Sequence, residues 1–200
     1  MPLKSDSIRI LIVDDDRLVL STLSMGLEKA GFAILRAASG EEAVQICHQV
    51  RPDLILMDIR MPGMSGLEAA QRIHASVEVP VIFLSAYDDP EIVEQAIGQG
   101  GMGYLVKPLE VHQLVPLIRA ALARSTDLSQ LKTTETQLNQ ALAAERHISI
   151  ASGILMERRK LSAADAYEML RIQSRSNRRK LAEVAKQIVT STEAINTTSR

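Results

Sequence analysis

The sequence predicts an α/β fold, a doubly wound five-stranded parallel sheet, over residues 1–123, and an all-α region after them. Two observations lead to this division. Short aliphatic runs without polar alternation recur up to residue 107, and such runs are typical of parallel strands that are covered on both faces. After residue 123 these runs stop, and the apolar residues follow helical spacing instead.

Strand-like runs alternate with helix signals along residues 1–123. The runs are RILIV (9–13), AILRAA (33–38), LILMD (54–58), PVIFLS (80–85) and YLVK (104–107). Ser39, three residues before Glu42, predicts an N-terminal cap for the second helix. Asp89 before Pro90 predicts a cap for the fourth helix. Because doubly wound sheets bind ligands beyond the carboxyl ends of their strands, we expect the functional site at that edge.

Composition restricts the class of protein. Aromatic residues make up 2% of the chain, so the core must be built from aliphatic residues and Met. The single cysteine, Cys47, excludes an intramolecular disulfide, as is usual for proteins of reducing compartments. No apolar run approaches the ~20 residues of a membrane span. We therefore expect a cytoplasmic protein that has no membrane partner.

The two parts of the chain carry opposite charge. Residues 1–120 contain 10 Lys and Arg residues against 16 Asp and Glu residues, whereas residues 121–200 contain 13 against 8. A basic region of this kind is suited to a polyanionic partner. The charge pattern therefore predicts two functions, one for each part.

A leucine stripe marks residues 124–147 as a linker helix. The leucines follow heptad spacing, interrupted by Glu135 at one core position, and they are Leu128, Leu131, Leu138 and Leu142. This repeat favours a parallel coiled coil, which predicts a homodimer through residues 124–147. The alternative is that the stripe packs against the chain's own first domain.

Residues 148–190 predict a small all-α domain of three short helices. The first helix, 148–159, continues the linker helix. Ser162 followed by Asp165 resembles a capping box at the start of the second helix. The third helix is predicted from about Asn177 to Val189 and carries apolar residues on one face.

Four further features of the helical region have consequences for its structure. Pro116 falls early in the fifth helix of the first domain, where it removes a hydrogen-bond donor and can bend the helix. Tyr167, the single aromatic residue of the basic region, either completes a small core or stacks on a base. The polar residues 191–200 predict a flexible tail. The leucines and methionine assigned to the core are Leu155, Met156, Leu170 and Leu181.

Carboxylates, a hydroxyl and an amine follow the ends of the predicted strands. They are Asp14, Asp15 and Asp16 after the first strand, Asp58 after the third, Ser85 after the fourth and Lys107 after the fifth. Carboxylates crowded at one edge repel one another unless a cation intervenes, and oxygen ligands alone favour Mg²⁺. One carboxylate can act as a nucleophile while the metal and the lysine stabilise a transferred phosphoryl group. The set predicts a phosphoryl-transfer site, with Asp16 capping the next helix.

Four stretches of the first domain resemble the receiver domain of two-component response regulators, which has a flavodoxin-like fold. They are ILIVDDD, DLILMDIRMPGMSG, VIFLSA and GYLVKP, and they match in order and spacing across residues 8–123. The resemblance implies that a sensor histidine kinase phosphorylates Asp58. It also implies that the protein is a switch and not an enzyme, apart from catalysing its own phosphotransfer and dephosphorylation at that residue.

The same resemblance assigns roles to the other site residues. The Mg²⁺ ligands that it implies are Asp14, Asp15, Asp58 and the backbone carbonyl of Arg60. The residues that it implies around the phosphoryl group are Ser85 and Tyr104 as switch residues, Lys107 as the ion-pair partner and Pro108 after a cis peptide. Their movement would change the surface formed by the fourth helix, the fifth strand and the fifth helix.

The second domain resembles the ANTAR domain, an output module of three helices that is linked to transcription antitermination. The matching stretches are ASGILMER, SAADAYEMLR and NRRKLAEVAKQIV. The resemblance implies a dimer that binds paired hairpins in structured leader RNA and so prevents a terminator hairpin from forming. The candidate RNA-binding residues are Arg158, Arg159, Lys160, Arg171, Arg175, Arg178, Arg179 and Lys180.

Two other functions stay open on the sequence alone. The first is a DNA-binding response regulator, although the basic region shows no obvious recognition helix on an angled turn. The second is a phosphohydrolase with an aspartate nucleophile, similar to haloacid-dehalogenase-like enzymes. Against it, Asp14-Asp15-Asp16 is followed by Arg17 rather than by Gly or Thr, and the separate motif around Asp58 is left unexplained.

Overall fold

The computed structural model describes residues 7–86, 90–98 and 100–198, with the backbone alone at 90–92 and 193–198. The chain divides into two compact units, Met1–Leu128 and Ser129–Arg200. The predicted cap at Asp89 lies outside the described residues.

The first unit contains a five-stranded parallel sheet, which confirms the predicted fold class. The strands are β1 (Arg9–Val13), β2 (Ala33–Ala37), β3 (Leu54–Asp58), β4 (Val81–Ser85) and β5 (Gly103–Val106). Their order is β2-β1-β3-β4-β5, and each neighbouring pair is parallel. Because β1 and β3 are neighbours at the point where the strand order reverses, their carboxyl ends lie side by side at the ligand-binding edge.

Helices pack on the sheet of the first unit. They are α1 (Arg17–Lys29), α2 (Gly40–Val50), α3 (Gly66–His74), α4 (Pro90–Gly98) and the first part of α5 (Val111–Arg159). Leu23 of α1 and Leu114 of α5 share one buried cluster with Ile10 of β1. Ile73 of α3 shares a second cluster with Leu11. Alternate residues of β1 therefore enter different clusters, which is why the strand lacks polar alternation.

Serine residues cap several helices. The Ser39 hydroxyl accepts the N–H of Glu42 at 3.2 Å, which confirms the predicted cap of α2. The Ser162 hydroxyl accepts the N–H of Asp165 at 3.2 Å, which confirms the predicted cap after α5. A reciprocal capping box at Ser65 begins α3, in addition to the predicted caps.

Helix α5 extends from Val111 to Arg159 and is 49 residues long. Pro116 lies inside it and removes one N–H from its hydrogen-bond ladder. The heptad leucines are exposed in the single chain, with exposed fractions of 41% at Leu128, 65% at Leu131, 58% at Leu138 and 55% at Leu142. The stripe therefore buries little of its apolar surface within one chain.

The second unit is helical, as predicted. Helices α6 (Ala163–Ser176) and α7 (Leu181–Thr198) follow α5. A small aliphatic core consists of the buried Ala151, Leu170, Val184, Ala185 and Val189, with Leu155 and Leu181 partly buried against it. Met156 is 37% exposed and lies outside this core, so its predicted core position is wrong. Leu155 takes the inward position, and consecutive helical residues point about 100° apart.

Part of the predicted tail at 191–200 has helical backbone in the described chain. Helix α7 continues to Thr198. The hydroxyls of Thr190, Ser191 and Thr192 donate to backbone carbonyls one helical turn earlier, at 3.0, 2.8 and 2.9 Å. These bonds give the three hydroxyl groups partners within the helix.

Within the described ranges, none of the helices is both long enough and apolar enough to cross a bilayer.

Candidate functional site

Three charged side chains meet at the carboxyl edge of the sheet. Asp14 follows β1, Asp58 is the last residue of β3, and Lys107 follows β5. The Lys107 Nζ donates to Asp14 Oδ2 and to Asp58 Oδ1, at 2.6 Å in each case. Both carboxylates are buried, with exposed fractions of 1% for Asp14 and 5% for Asp58. The ammonium group therefore compensates two buried negative charges at once.

The electrostatics of the site follow from this crowding. Burial raises the pKa of Asp58 above its ordinary value, and the charges of Asp14 and Asp15 raise it further against the opposing effect of Lys107. Burial alone would lower the pKa of Lys107, but its hydrogen bonds and charge interactions with Asp14 and Asp58 raise it overall. Lys107 is thus charged at neutral pH, and the charge of Asp58 depends on nearby cations.

The consecutive aspartates after β1 have different environments. The Asp14 side chain is buried, and its Oδ1 accepts the N–H of Asp16 at 3.0 Å. Asp15 is exposed. Asp16 Oδ1 accepts the N–H groups of Leu18 and Val19 at 2.8 and 3.4 Å, which confirms that it caps α1. Asp14 therefore lies inside the site, and Asp15 lies at its exposed edge.

The switch candidates lie on β4, the neighbour of β3, and on β5, the edge strand beyond it. Asp58 is paired with Leu84 in the β3–β4 register, and the buried Ser85 is the next residue of β4. The backbone N–H of Lys107 donates to the Ser85 carbonyl at 2.7 Å. Tyr104 of β5 is half-buried and packs against the cluster that contains α2 and α3 residues. The peptide bond between Lys107 and Pro108 is cis, as the resemblance implied.

The donor set of the site fits a hard cation. Asp14, Asp15 and Asp58 offer carboxylate oxygens, which Mg²⁺ prefers, and the charge of Asp58 is penalised by burial and by its acidic neighbours. In the described part of the chain, however, no three His, Cys, Asp or Glu side chains form a group that could hold a metal ion. The Lys107 ammonium is the cation that contacts both buried carboxylates here.

Gly66, which the sequence predicts to permit the turn after Asp58, lies in close contact with the end of β3. A Cβ at this position would collide with the carbonyl oxygen of Asp58. The Gly66 N–H donates to the carbonyl of Ile59 at 2.9 Å, so the loop after β3 folds back onto the end of that strand. The sequence predicts a turn at this glycine. Its close approach to Asp58 could not be predicted, because that contact exists only in the folded loop.

Gly66→Ala is expected to lower the free energy of unfolding of the first unit by roughly 1–3 kcal/mol, because a backbone oxygen cannot move aside as a flexible side chain can. Urea unfolding followed by circular dichroism measures the change. Gly98→Ala is the matched control, since a Cβ at Gly98 meets no atom within 4 Å. Equal stabilities of the two variants would contradict the close approach.

The basic candidates of the second unit fall into two groups. All are exposed except the half-buried Arg171. Arg171 pairs with Glu168 at 2.9 Å, and Arg179 contacts Glu183 at 3.5 Å and Gln187 at 2.6 Å. The others make no side-chain hydrogen bond or ion pair with any residue in the described ranges, and they are Arg158, Arg159, Lys160, Arg175, Arg178 and Lys180.

Tyr167 of α6 is exposed. Its exposed fraction is 44%, and it lies outside the aliphatic core of the second unit. The buried residue at this point of α6 is its neighbour Ala166. Of the two open interpretations, packing in the small core is therefore wrong, and the ring is accessible to a partner.

Two protein families match this chain. The response regulator receiver domain matches residues 10–119, and the ANTAR domain matches residues 136–189. The output domain is predicted to begin at residue 148. The ANTAR match begins earlier, at residue 136 within α5.

Known proteins resemble the whole chain or its first unit. The transcriptional regulatory protein PdtaR of Mycobacterium tuberculosis is 31% identical over 180 residues, which are 88% of this chain and 88% of that protein. The transcriptional regulatory protein AfsQ1 of Streptomyces coelicolor is 35% identical over 115 residues, 58% of this chain and 51% of that protein. The structure of Vibrio cholerae chemotaxis protein CheY4 has a TM-score of 0.56 at 28% identity and covers 57% of this chain and 98% of its own.

Proposed function

Because the chain belongs to the response regulators that join a receiver domain to an RNA-binding ANTAR domain, we propose that phosphorylation of Asp58 by a sensor histidine kinase controls RNA binding and promotes transcription antitermination. The observation that carries this proposal is the buried carboxylate of Asp58 at the end of β3, 2.6 Å from the Lys107 ammonium. A nucleophile and a cation for the transferred phosphoryl group are therefore already in contact.

Asp58 supplies the nucleophile in this proposal. A carboxylate oxygen of Asp58 attacks the phosphorus atom of a phosphohistidine, the P–N bond breaks, and the imidazole leaves with the bonding electrons. Lys107 stays charged because its acidic partners raise its pKa. Its ammonium then pairs with the new phosphoryl oxygens, which are stronger acceptors than the carboxylate that they replace.

Receiver domains generally bind Mg²⁺ at the phosphorylation site. For this chain we assign the ion to Asp14, Asp15, Asp58 and the backbone carbonyl of Arg60. When bound, the ion neutralises negative charge on the transferring oxygens. Asp14 and Asp58 fit this assignment because a bound cation would offset the burial and the mutual repulsion of their carboxylates.

Ser85 and Tyr104 transmit the change in this proposal. Ser85 lies at the end of β4 next to the acceptor strand, where its hydroxyl can donate to a phosphoryl oxygen. Tyr104 is half-buried on β5, so its ring can turn further inward when Ser85 moves. Such a rearrangement alters the surface of α4, β5 and α5, which is the signal to the output.

The output of this proposal is RNA binding by α5, α6 and α7. Exposed cations without acidic partners supply salt-dependent affinity for phosphates. Hairpin loops also present unstacked bases, which aromatic and arginine side chains can cover. Tyr167 is exposed among these cations and provides the aromatic surface.

Tyr167→Ala is expected to weaken binding to stem-loop RNA by roughly 1–3 kcal/mol, the usual contribution of one stacked base. The fold should not change, because Tyr167 lies outside the aliphatic core. Fluorescence anisotropy with labelled RNA measures the affinity. Tyr167→Phe keeps the ring and should bind as the native protein does, so equal losses in both variants would argue against stacking.

The protein acts as a homodimer through residues 124–147 in this proposal. The heptad leucines support it, because the single chain leaves 55% of Leu142 and 65% of Leu131 exposed. A parallel coiled coil would bury these side chains against their counterparts in a second copy. Two output domains held together can bind two hairpins of one RNA with high effective concentration.

The experiment that tests this function compares nucleic acids. The full chain is titrated against a synthetic RNA with two tandem stem-loops and against duplex DNA of equal length, over a series of salt concentrations. Preference for the RNA at every salt concentration is expected. Preference for the duplex would instead support a DNA-binding response regulator, and sustained hydrolysis of a small phosphoester would support a phosphohydrolase.

A further inference from the structure

Three residues other than glycine have a left-handed backbone conformation, and all three are cations at helix ends. They are Arg51 (φ 51°) after α2, Lys160 (φ 53°) after α5 and Arg178 (φ 52°) after α6, within the described residues. Glycine adopts this conformation without steric cost, whereas any side chain with a Cβ is disfavoured there. Lys160 and Arg178 belong to the second unit, and both are exposed.

The helix ends around Lys160 and Arg178 have the same geometry. The N–H of Leu161 donates to the carbonyl of Met156 at 3.3 Å, across the turn at Lys160. The N–H of Arg179 donates to the carbonyl of Ser174 at 3.0 Å, across the turn at Arg178. These are the bonds of a Schellman motif, in which the left-handed position is usually glycine. Both turns therefore hold a cation where the backbone favours glycine.

Around each turn, the cations other than Arg179 form no ion pair with an acidic residue in the described part of the chain. Arg158 and Arg159 precede Lys160, and Arg175 precedes Arg178 by less than one helical turn. The side chains of these five cations make no hydrogen bond or ion pair with any residue that the structure describes. Helix α6, with 14 residues, separates the two turns by about 21 Å.

We propose that Lys160 and Arg178 contact phosphate groups of the bound RNA, one at each end of α6, and that this contact explains a cation in place of glycine. The inference rests on the proposed RNA-binding function and goes beyond it by separating these two residues from the other cations. Both side chains are exposed, so each cation is accessible to a phosphate group at its turn. The negative end of a helix also attracts cations, and that explanation applies equally to Arg51.

Glycine substitutions separate these two explanations. Lys160→Gly and Arg178→Gly remove the cation while keeping the backbone conformation, so their melting temperatures should equal or exceed that of the native protein. Arg51→Gly is the matched control, because it removes a cation from the same backbone conformation in the other unit. Affinity of each full-length variant for the tandem stem-loop RNA is measured as a function of salt.

The expected result is weaker RNA binding for Lys160→Gly and Arg178→Gly, with a salt dependence reduced by about one counterion per lost contact. Arg51→Gly should bind as the native chain does, and Lys160→Arg and Arg178→Lys should retain the native salt dependence. If Lys160→Gly and Arg178→Gly both bind the RNA with native affinity and native salt dependence, this inference is wrong, but the proposed function is unaffected. Absence of RNA binding by the native chain would overturn the proposed function and this inference with it.

Discussion

Asp58→Asn is expected to reduce phosphorylation of the protein by on the order of 100-fold or more, because the amide lacks the nucleophilic carboxylate. The side chain keeps its size, so the buried position at the end of β3 should still pack. The full chain is incubated with acetyl phosphate and Mg²⁺, and the acid-labile phosphoryl group is quantified by mass spectrometry.

Asp16→Asn is the matched control for this experiment. Asp16 belongs to the same acidic cluster, but its side chain caps α1, and Asn caps a helix about as well as Asp. We expect native stoichiometry for this variant. Acid-labile phosphate at native stoichiometry on Asp58→Asn would show that Asp58 is not the acceptor.

The double substitution of Leu138→Lys and Leu142→Lys is expected to convert a dimer into a monomer. Two lysines at neighbouring core positions of a coiled coil would place four ammonium groups at the interface. Loss of the dimer should weaken binding to the tandem stem-loop RNA by about 100-fold, since the second domain would no longer bind as part of the same molecule. Sedimentation velocity gives the oligomeric state, and anisotropy gives the affinity.

The matched control for the leucines replaces Thr133 and Gln140 with lysine. Both residues lie on α5 within the same segment, outside the leucine stripe, so the added charge is equal. We expect a dimer with native affinity or slightly higher affinity. A native chain that sediments as a monomer with and without acetyl phosphate would rule out the homodimer.

Much of the first unit could be predicted from sequence because its strands are short, aliphatic and separated by clear helix signals. The same logic placed Asp14, Asp58 and Lys107 at one edge, since parallel strands share their carboxyl ends. The bridging position of Lys107 could not be predicted, because it depends on the side chain from β5 crossing to β1 and β3. The approach of Gly66 to the Asp58 carbonyl likewise exists only after the loop has folded.

The helical region was harder to predict for a different reason. Every turn of an amphipathic helix places some apolar residues near the boundary between core and solvent, so Met156 was assigned to the core although Leu155 takes that position. The continuation of α7 to Thr198 could not be predicted because the polar composition of this segment hides the helix. The left-handed backbone at Lys160 could not be predicted, because the residue at this position is not glycine.

In the proposed function, phosphorylation of Asp58 controls RNA binding. The most direct measurement is the affinity of the full chain for the tandem stem-loop RNA, with and without acetyl phosphate and Mg²⁺, for the native protein and for Asp58→Asn. We predict that the phosphoryl donor changes the affinity of the native chain and leaves the affinity of Asp58→Asn unchanged. The same change in both proteins, or no change in a native chain shown to be phosphorylated, would show that phosphorylation of Asp58 does not control RNA binding.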